Sequence, residues 1–166
     1  MKRLIKSLIR MLCTAAARLQ TGGMGKNCCV NFPCKFTKNT FVGSCSHFNG
    51  INISGSGRVT IGSYFHSGKH IRIITSFHNY DRGNAIPYDE TMVTKDVTID
   101  DCVWLGERVL ILGGVHIGEG AVLQAGSVVV RDIPPYAIAG GAPAQVFKYR
   151  DMEHYERLKA EGRFSK

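Results

Sequence analysis

A period of six runs through the second half of this 166-residue chain. Ile99, Leu105, Ile111, Ile117, Leu123 and Val129 recur at that spacing without a slip, and Val103, Val109, Val115, Ala121, Ser127 and Ile133 stand four residues after each. A period of six fits neither an isolated helix nor an alternating strand. It fits a short strand plus a turn, a unit that cannot bury its apolar face alone, so successive coils must stack into one continuous core, a parallel β-helix. The small or β-branched second series suits a crowded interior. Gly106 and Gly118 follow the large apolar residue, where a tight bend between short strands calls for a residue without a Cβ. The chain's 19 glycines point the same way, to repeated turns.

The first half carries the pattern less cleanly. Val30, Phe36, Val42 and Phe48 keep step, and a one-residue slip precedes Ile61, Ser67 and Ile73. Residues 74–98 break the period with a long segment, and loops of this length in compact repeats are usually functional. The expected organisation is one domain: a helical cap over 1–20, a β-helix over 21–147 with the insertion 74–98, and a tail with a helix over 148–166. Leu4, Ile5, Leu8, Ile9 and Leu12 form one stripe of the first helix, with Lys2, Lys6 and Arg10 mostly elsewhere. Such a helix caps the open first coil, as repeat proteins require, or lies on an anionic membrane. Asp151 and Gly162 bracket the second helix as N-cap and stop.

No stretch approaches the ~20 apolar residues of a bilayer span, and Lys6 and Arg10 break the apolar start, so the expectation is a cytoplasmic protein, with peripheral membrane contact through residues 1–20 as an addition. The six cysteines, Cys13, Cys28, Cys29, Cys34, Cys45 and Cys102, lack paired C-x-x-C spacing and clustered His partners, so free thiols are expected and no metal. The net charge of +8 favours an anionic partner. Nucleic acid is disfavoured because Lys and Arg are scattered and no aromatic-basic platform appears.

VTIG at 59–62, a His-bearing loop beyond it, VWLG at 103–106, GGVHIGEGAVLQAGSVVVRDIPPYAIAGGAPA at 113–144, and Lys148 follow one another in this order. Residues from about 40 to 150 thereby resemble the hexapeptide-repeat acetyltransferases, closest in motif to sugar and polysaccharide O-acetyltransferases such as those of galactosides and maltose. The resemblance implies left-handed coiling, an acetyl-CoA co-substrate, and a homotrimer with active sites between subunits. By position it makes His78 the general base, and an imidazole near neutral pKa suits removal of a proton from an attacking hydroxyl. It assigns the Glu107 amide to the oxyanion at the acetyl end, and Trp104, Ala125, Val130, Arg131 and Lys148 to the cofactor. Arg131 and Lys148 match the CoA phosphates in charge. Trp104 lines the cofactor channel or fills a coil corner. Gln145 departs from the basic residue common in the family, so that one phosphate contact is either missing or supplied by Arg150 instead. His47, in SHFNG where the family often has Asn, and Asn49 are candidates for the acceptor. Asp81, Tyr80, Asp89 and Glu90 are loop residues from which a partner for His78 is sought, and His66 and His70 are the alternative bases.

The leading expectation is acetyl transfer from acetyl-CoA to a sugar hydroxyl in glycan or polysaccharide precursor synthesis. N-acetylation of an amino sugar and a non-catalytic or zinc-binding β-helix are the competing readings.

Overall fold

The computed structural model describes residues 2–165; Met1 and Lys166, the outer ends of the expected cap and tail, lie outside the described residues, as do the side chains of Lys2 and Arg3. Each coil contributes short strands to three parallel sheets, the three faces of a β-helix. The first face stacks Gly23–Met24, Thr40–Val42, Val59–Ile61, Val97–Ile99 and His116–Ile117. The second stacks Cys29–Val30, His47–Phe48, His66–Ser67, Trp104–Leu105, Val122–Leu123 and Ala137–Gly141. The third stacks Ile51–Ser54, Ile71–Ile74, Leu110–Leu112 and Val128–Val129.

The six-residue period places one large apolar side chain inside on each face. Val42, Ile61, Ile99 and Ile117 form one interior column, and Ile53, Ile73, Ile111 and Val129 another. All are buried, and each fully buried Ile or Leu contributes about 1.5–3 kcal/mol relative to exposure. The one-residue slip in the first half is the net of two irregularities of opposite sign. Phe48 and Ile53 are five residues apart, and Ile53 and Ile61 are eight apart, so one turn is shortened and the next lengthened.

Gly106 and Gly118 are required for a reason other than the expected bend. Neither has a positive φ. A Cβ on Gly106 would lie 2.5 Å from the Ala125 nitrogen, and one on Gly118 would lie 2.5 Å from the Pro135 nitrogen, so the next coil passes too close for a side chain. The left-handed corner positions between the first and second faces are Asn27, Cys45, Tyr64, Cys102, Gly120 and Tyr136, one per coil, with φ between 55 and 68°.

The chain leaves the coil after Ile74, pairs Ser76–His78 antiparallel with Met92–Thr94, and re-enters at Val97. Val97 and Thr98 therefore belong to the β-helix and not to the insertion. At the other end Ala137–Gly141 turns back against Ala144–Tyr149, a strand that crosses the expected boundary at 147 and carries Lys148 on the sheet edge. Helix α2, Met152–Ala160, follows, with the Asp151 carboxylate accepting from the His154 amide at 2.9 Å.

Helix α1, Lys2–Gln20, closes the first coil. Ala17 is buried against it, the Thr14 hydroxyl accepts from the Val30 amide at 3.0 Å, and the Gln20 amide oxygen accepts from the Phe36 amide at 2.9 Å. These bonds satisfy donors that an open coil edge would leave unpaired.

Candidate active site

Because the interior is filled, chemistry is left to the outward side chains and to the corners. His78 ends the first strand of the inserted hairpin and is exposed. Its ring stacks on Tyr88, with centroids 4.1 Å apart and an interplanar angle of 17°. No carboxylate among the described residues hydrogen-bonds to it. Asp89 is committed to the loop, accepting from the Asn84 and Thr91 amides at 3.0 and 2.9 Å and from the Thr91 hydroxyl at 2.5 Å. Those bonds hold its carboxyl below the usual range. Among the described residues Asp81 pairs only with its neighbour Arg82, at 3.9 Å. Tyr88, which no sequence pattern marks, is the aromatic partner against which the His78 ring stacks.

The corner between the second and third faces joins Glu107 and Ala125 on adjacent coils, so close that a Cβ built on Gly106 would lie 2.5 Å from the Ala125 nitrogen. The Glu107 carbonyl accepts from the Gly126 amide at 2.8 Å. Neither the Glu107 nor the Ala125 amide donates to another group among the described residues. Two free backbone donors on neighbouring coils suit an oxyanion and the amide-rich pantetheine arm of acetyl-CoA. Trp104 lies on the second face and is exposed, not packed into the coil.

Arg131 follows the Val128–Val129 strand and exposed Val130, whereas Lys148 pairs with Ile138 on the returning strand. Both cations are exposed, and neither forms an ion pair among the described residues, so both are available to phosphates. Arg150 is engaged elsewhere. Its Nε donates to the Gly120 carbonyl at 2.6 Å and its guanidinium lies over Tyr155, bracing the coil against α2, so it is a poor substitute for the basic residue absent at Gln145.

Asn49 is held in a ladder between coils. Its amide nitrogen donates to the Ser67 carbonyl at 2.6 Å, and its amide oxygen accepts from Asn31 at 2.9 Å. His47 and His66 stand in register as part of an outward row on the second face that continues to Trp104, with the two imidazoles 4.7 Å apart. Burial lowers the pKa of both; the Arg10 charge adds to this at His47, and His47 itself adds to it at His66. The Nε2 of His66 is buried without a partner among the described residues. His66 lines a cavity of about 360 Å³ together with Tyr64, Trp104, Tyr155 and Phe164. Phe164 lines it while stacking on Tyr64 at 3.9 Å. Sequence reasoning missed this cavity, although His66 and Trp104, in register on the second face, both line it.

All six cysteines are free, and burial pushes the Cys34 thiol up to about 11. Among the described residues no group of three or more His, Cys, Asp or Glu is placed to hold a metal ion.

The family of bacterial transferase hexapeptide (six repeats) matches residues 96–131. A hexapeptide-repeat acetyltransferase of Vibrio cholerae is 31% identical, with a TM-score of 0.75 over 84% of this chain and 80% of that one. The chain belongs to the hexapeptide-repeat acetyltransferases. The same V. cholerae protein in complex with acetyl-CoA aligns with a TM-score of 0.71 at 31% identity, over 82% of this chain and 75% of that one. The galactoside O-acetyltransferase of Escherichia coli is 30% identical over 138 residues, 80% of this chain and 67% of that protein. The chain spans less of other relatives, 45% and 59% of the length of two from Schizosaccharomyces pombe and Saccharomyces cerevisiae.

Proposed function

We propose that this member of the family is an acetyl-CoA-dependent O-acetyltransferase that acetylates a sugar hydroxyl, in glycan or polysaccharide precursor synthesis, with His78 as general base. The observation that carries the reading is the pair of free amides at Glu107 and Ala125 in a chain related to a protein that binds acetyl-CoA. In the reaction the His78 imidazole takes the hydroxyl proton while the oxygen attacks the thioester carbonyl. The Glu107 amide donates to the oxyanion that forms. Collapse breaks the carbon–sulfur bond, leaves the acetyl ester, and returns the proton from His78 to the CoA thiolate. Arg131 and Lys148 neutralise CoA phosphates and leave the reacting end to the backbone.

A homotrimer is part of the proposal because the resemblance to the family implies it, and the geometry independently calls for at least two subunits at each site. The insertion bearing His78 leaves the corner between the third and first faces, whereas Glu107 and Ala125 occupy the corner between the second and third. The third face separates them, so a site uniting base and oxyanion donor draws its halves from two subunits. Closed cyclic symmetry then gives every subunit the same complement.

The test is acetylation of a panel of sugars by wild-type and His78→Ala protein, with acetyl-CoA and mass detection. Loss of the base lowers turnover by roughly a hundredfold to ten-thousandfold, with CoA binding retained. A folded His78→Ala protein working at the wild-type rate refutes the assignment and directs attention to His66.

A further inference from the structure

The cap role of α1 accounts for only one side of the helix. Cys13, Thr14 and Ala17 face the first coil, and Ala17 is 1% exposed. On the opposite side Leu4, Ile5, Leu8, Ile9 and Leu12 form a continuous stripe open to solvent, with Leu4 75%, Leu8 51% and Leu12 59% exposed. Capping needs none of these side chains. Along a helix of 19 residues, about 28 Å long, the stripe is an apolar strip lying outside the core.

The charge around it is one-sided. All 13 acidic residues of the chain lie from Asp81 onward, so the first 80 residues, with eleven of the 21 Lys and Arg, carry no negative charge at all. Residues 81–166 hold the other ten cations against those 13 acids and are net negative. The coils are therefore polarised along the axis, with the positive half ending in α1, where Lys6 and Arg10 are exposed, while the tail from Asp151, which returns beside α1, is neutral, with four acids against four cations.

From the apolar strip and this polarity together we infer that α1 docks the protein on the surface of an anionic lipid bilayer. The leucine and isoleucine side chains enter the boundary between headgroups and acyl chains, and the surrounding cations meet the anionic headgroups. Contact between two copies of the same strip would instead bring two positive ends together. The helix lies on the surface and does not span it, since no described helix is long and apolar enough to cross a membrane. This docking goes beyond the proposed reaction and does not depend on it.

The test is cosedimentation of the full chain with vesicles of phosphatidylcholine alone or mixed with phosphatidylglycerol, alongside Leu8→Gln/Leu12→Gln, which leaves Ala17 and the capping bonds in place. Wild type should bind the mixed vesicles, bind phosphatidylcholine much less, and be released by salt. The double variant should bind on the order of a hundredfold more weakly, with melting temperature and oligomeric mass unchanged. Failure of the wild type to bind mixed vesicles overturns the inference. A fall in oligomeric mass in the double variant also overturns it, by assigning the strip to contact between copies.

Discussion

Asn49 separates two roles that one residue cannot hold equally, acceptor contact and coil stacking. Replacement by Ala removes the bond to the Ser67 carbonyl at 2.6 Å and the one from Asn31 at 2.9 Å. It leaves the backbone bond from the Asn49 amide to the Ser67 hydroxyl. Two lost side-chain bonds at about 0.5–1.5 kcal/mol each give about 2 kcal/mol, with a further contribution if the Ser67 carbonyl stays unsatisfied. For a domain of this size that lowers the melting temperature by about 4–8 °C. Asn31→Ala should cost less, because it breaks only one of the two bonds, and the double variant should fall short of the sum, since both singles lose the same Asn31 bond. The assay is thermal unfolding of the four proteins at one concentration, followed by acceptor KM for each once an acceptor is known. Unchanged melting of Asn49→Ala with a raised acceptor KM would refute the stacking argument and return Asn49 to the acceptor site.

Gly118→Ala should destabilise by about 1–3 kcal/mol, because the added Cβ meets Pro135 ring and backbone atoms that cannot yield. Gly126→Ala, where nothing lies within 4 Å but φ is +76°, should cost about 1 kcal/mol by backbone strain alone, and reversal of this order in thermal melts contradicts the close-approach account. Since His47 and His66 have lowered pKa values in the fold, their contribution to stability is complete above about 6.5 and is lost as pH falls from there through the folded-state values. Melting temperature should drop on acidification across that window, and His66→Phe should flatten the drop. Arg131→Ala and Lys148→Ala should each weaken CoA binding by about tenfold at low salt and less at high salt, measured by calorimetry, while equal affinities would remove the phosphate assignment.

The interior was legible because its constraint repeats. Ile99 to Val129 face the same crowded space every six residues, and that repetition is written directly in the chain. The corners are less legible, because the backbone conformation of Cys45, Tyr64 and Cys102 is dictated by the coil and not by the residue's own preference. The Asn31, Asn49 and Ser67 ladder has a spacing of 18, three repeats, so its signal was present but pointed to no one function. The stack of Phe164 on Tyr64 joins residues 100 positions apart across a terminal segment outside the repeat, and no local pattern announces it.

The site follows from the same geometry. A β-helix fills its interior with apolar columns, so a titrating side chain can be mobile and solvated only by standing outward or by leaving the coil. His78 leaves it, on a hairpin anchored by three paired residues on each strand. The oxyanion donor has the opposite requirement, a rigid amide with no competing partner, and a corner stacked at the closeness of Gly106 on Ala125 provides it. The proposed base and donor thus stand on an exposed hairpin and on a tightly stacked corner of one fold. Their separation by a whole face is the reason the proposed chemistry calls for a second subunit, a requirement that a monomer retaining full activity would contradict.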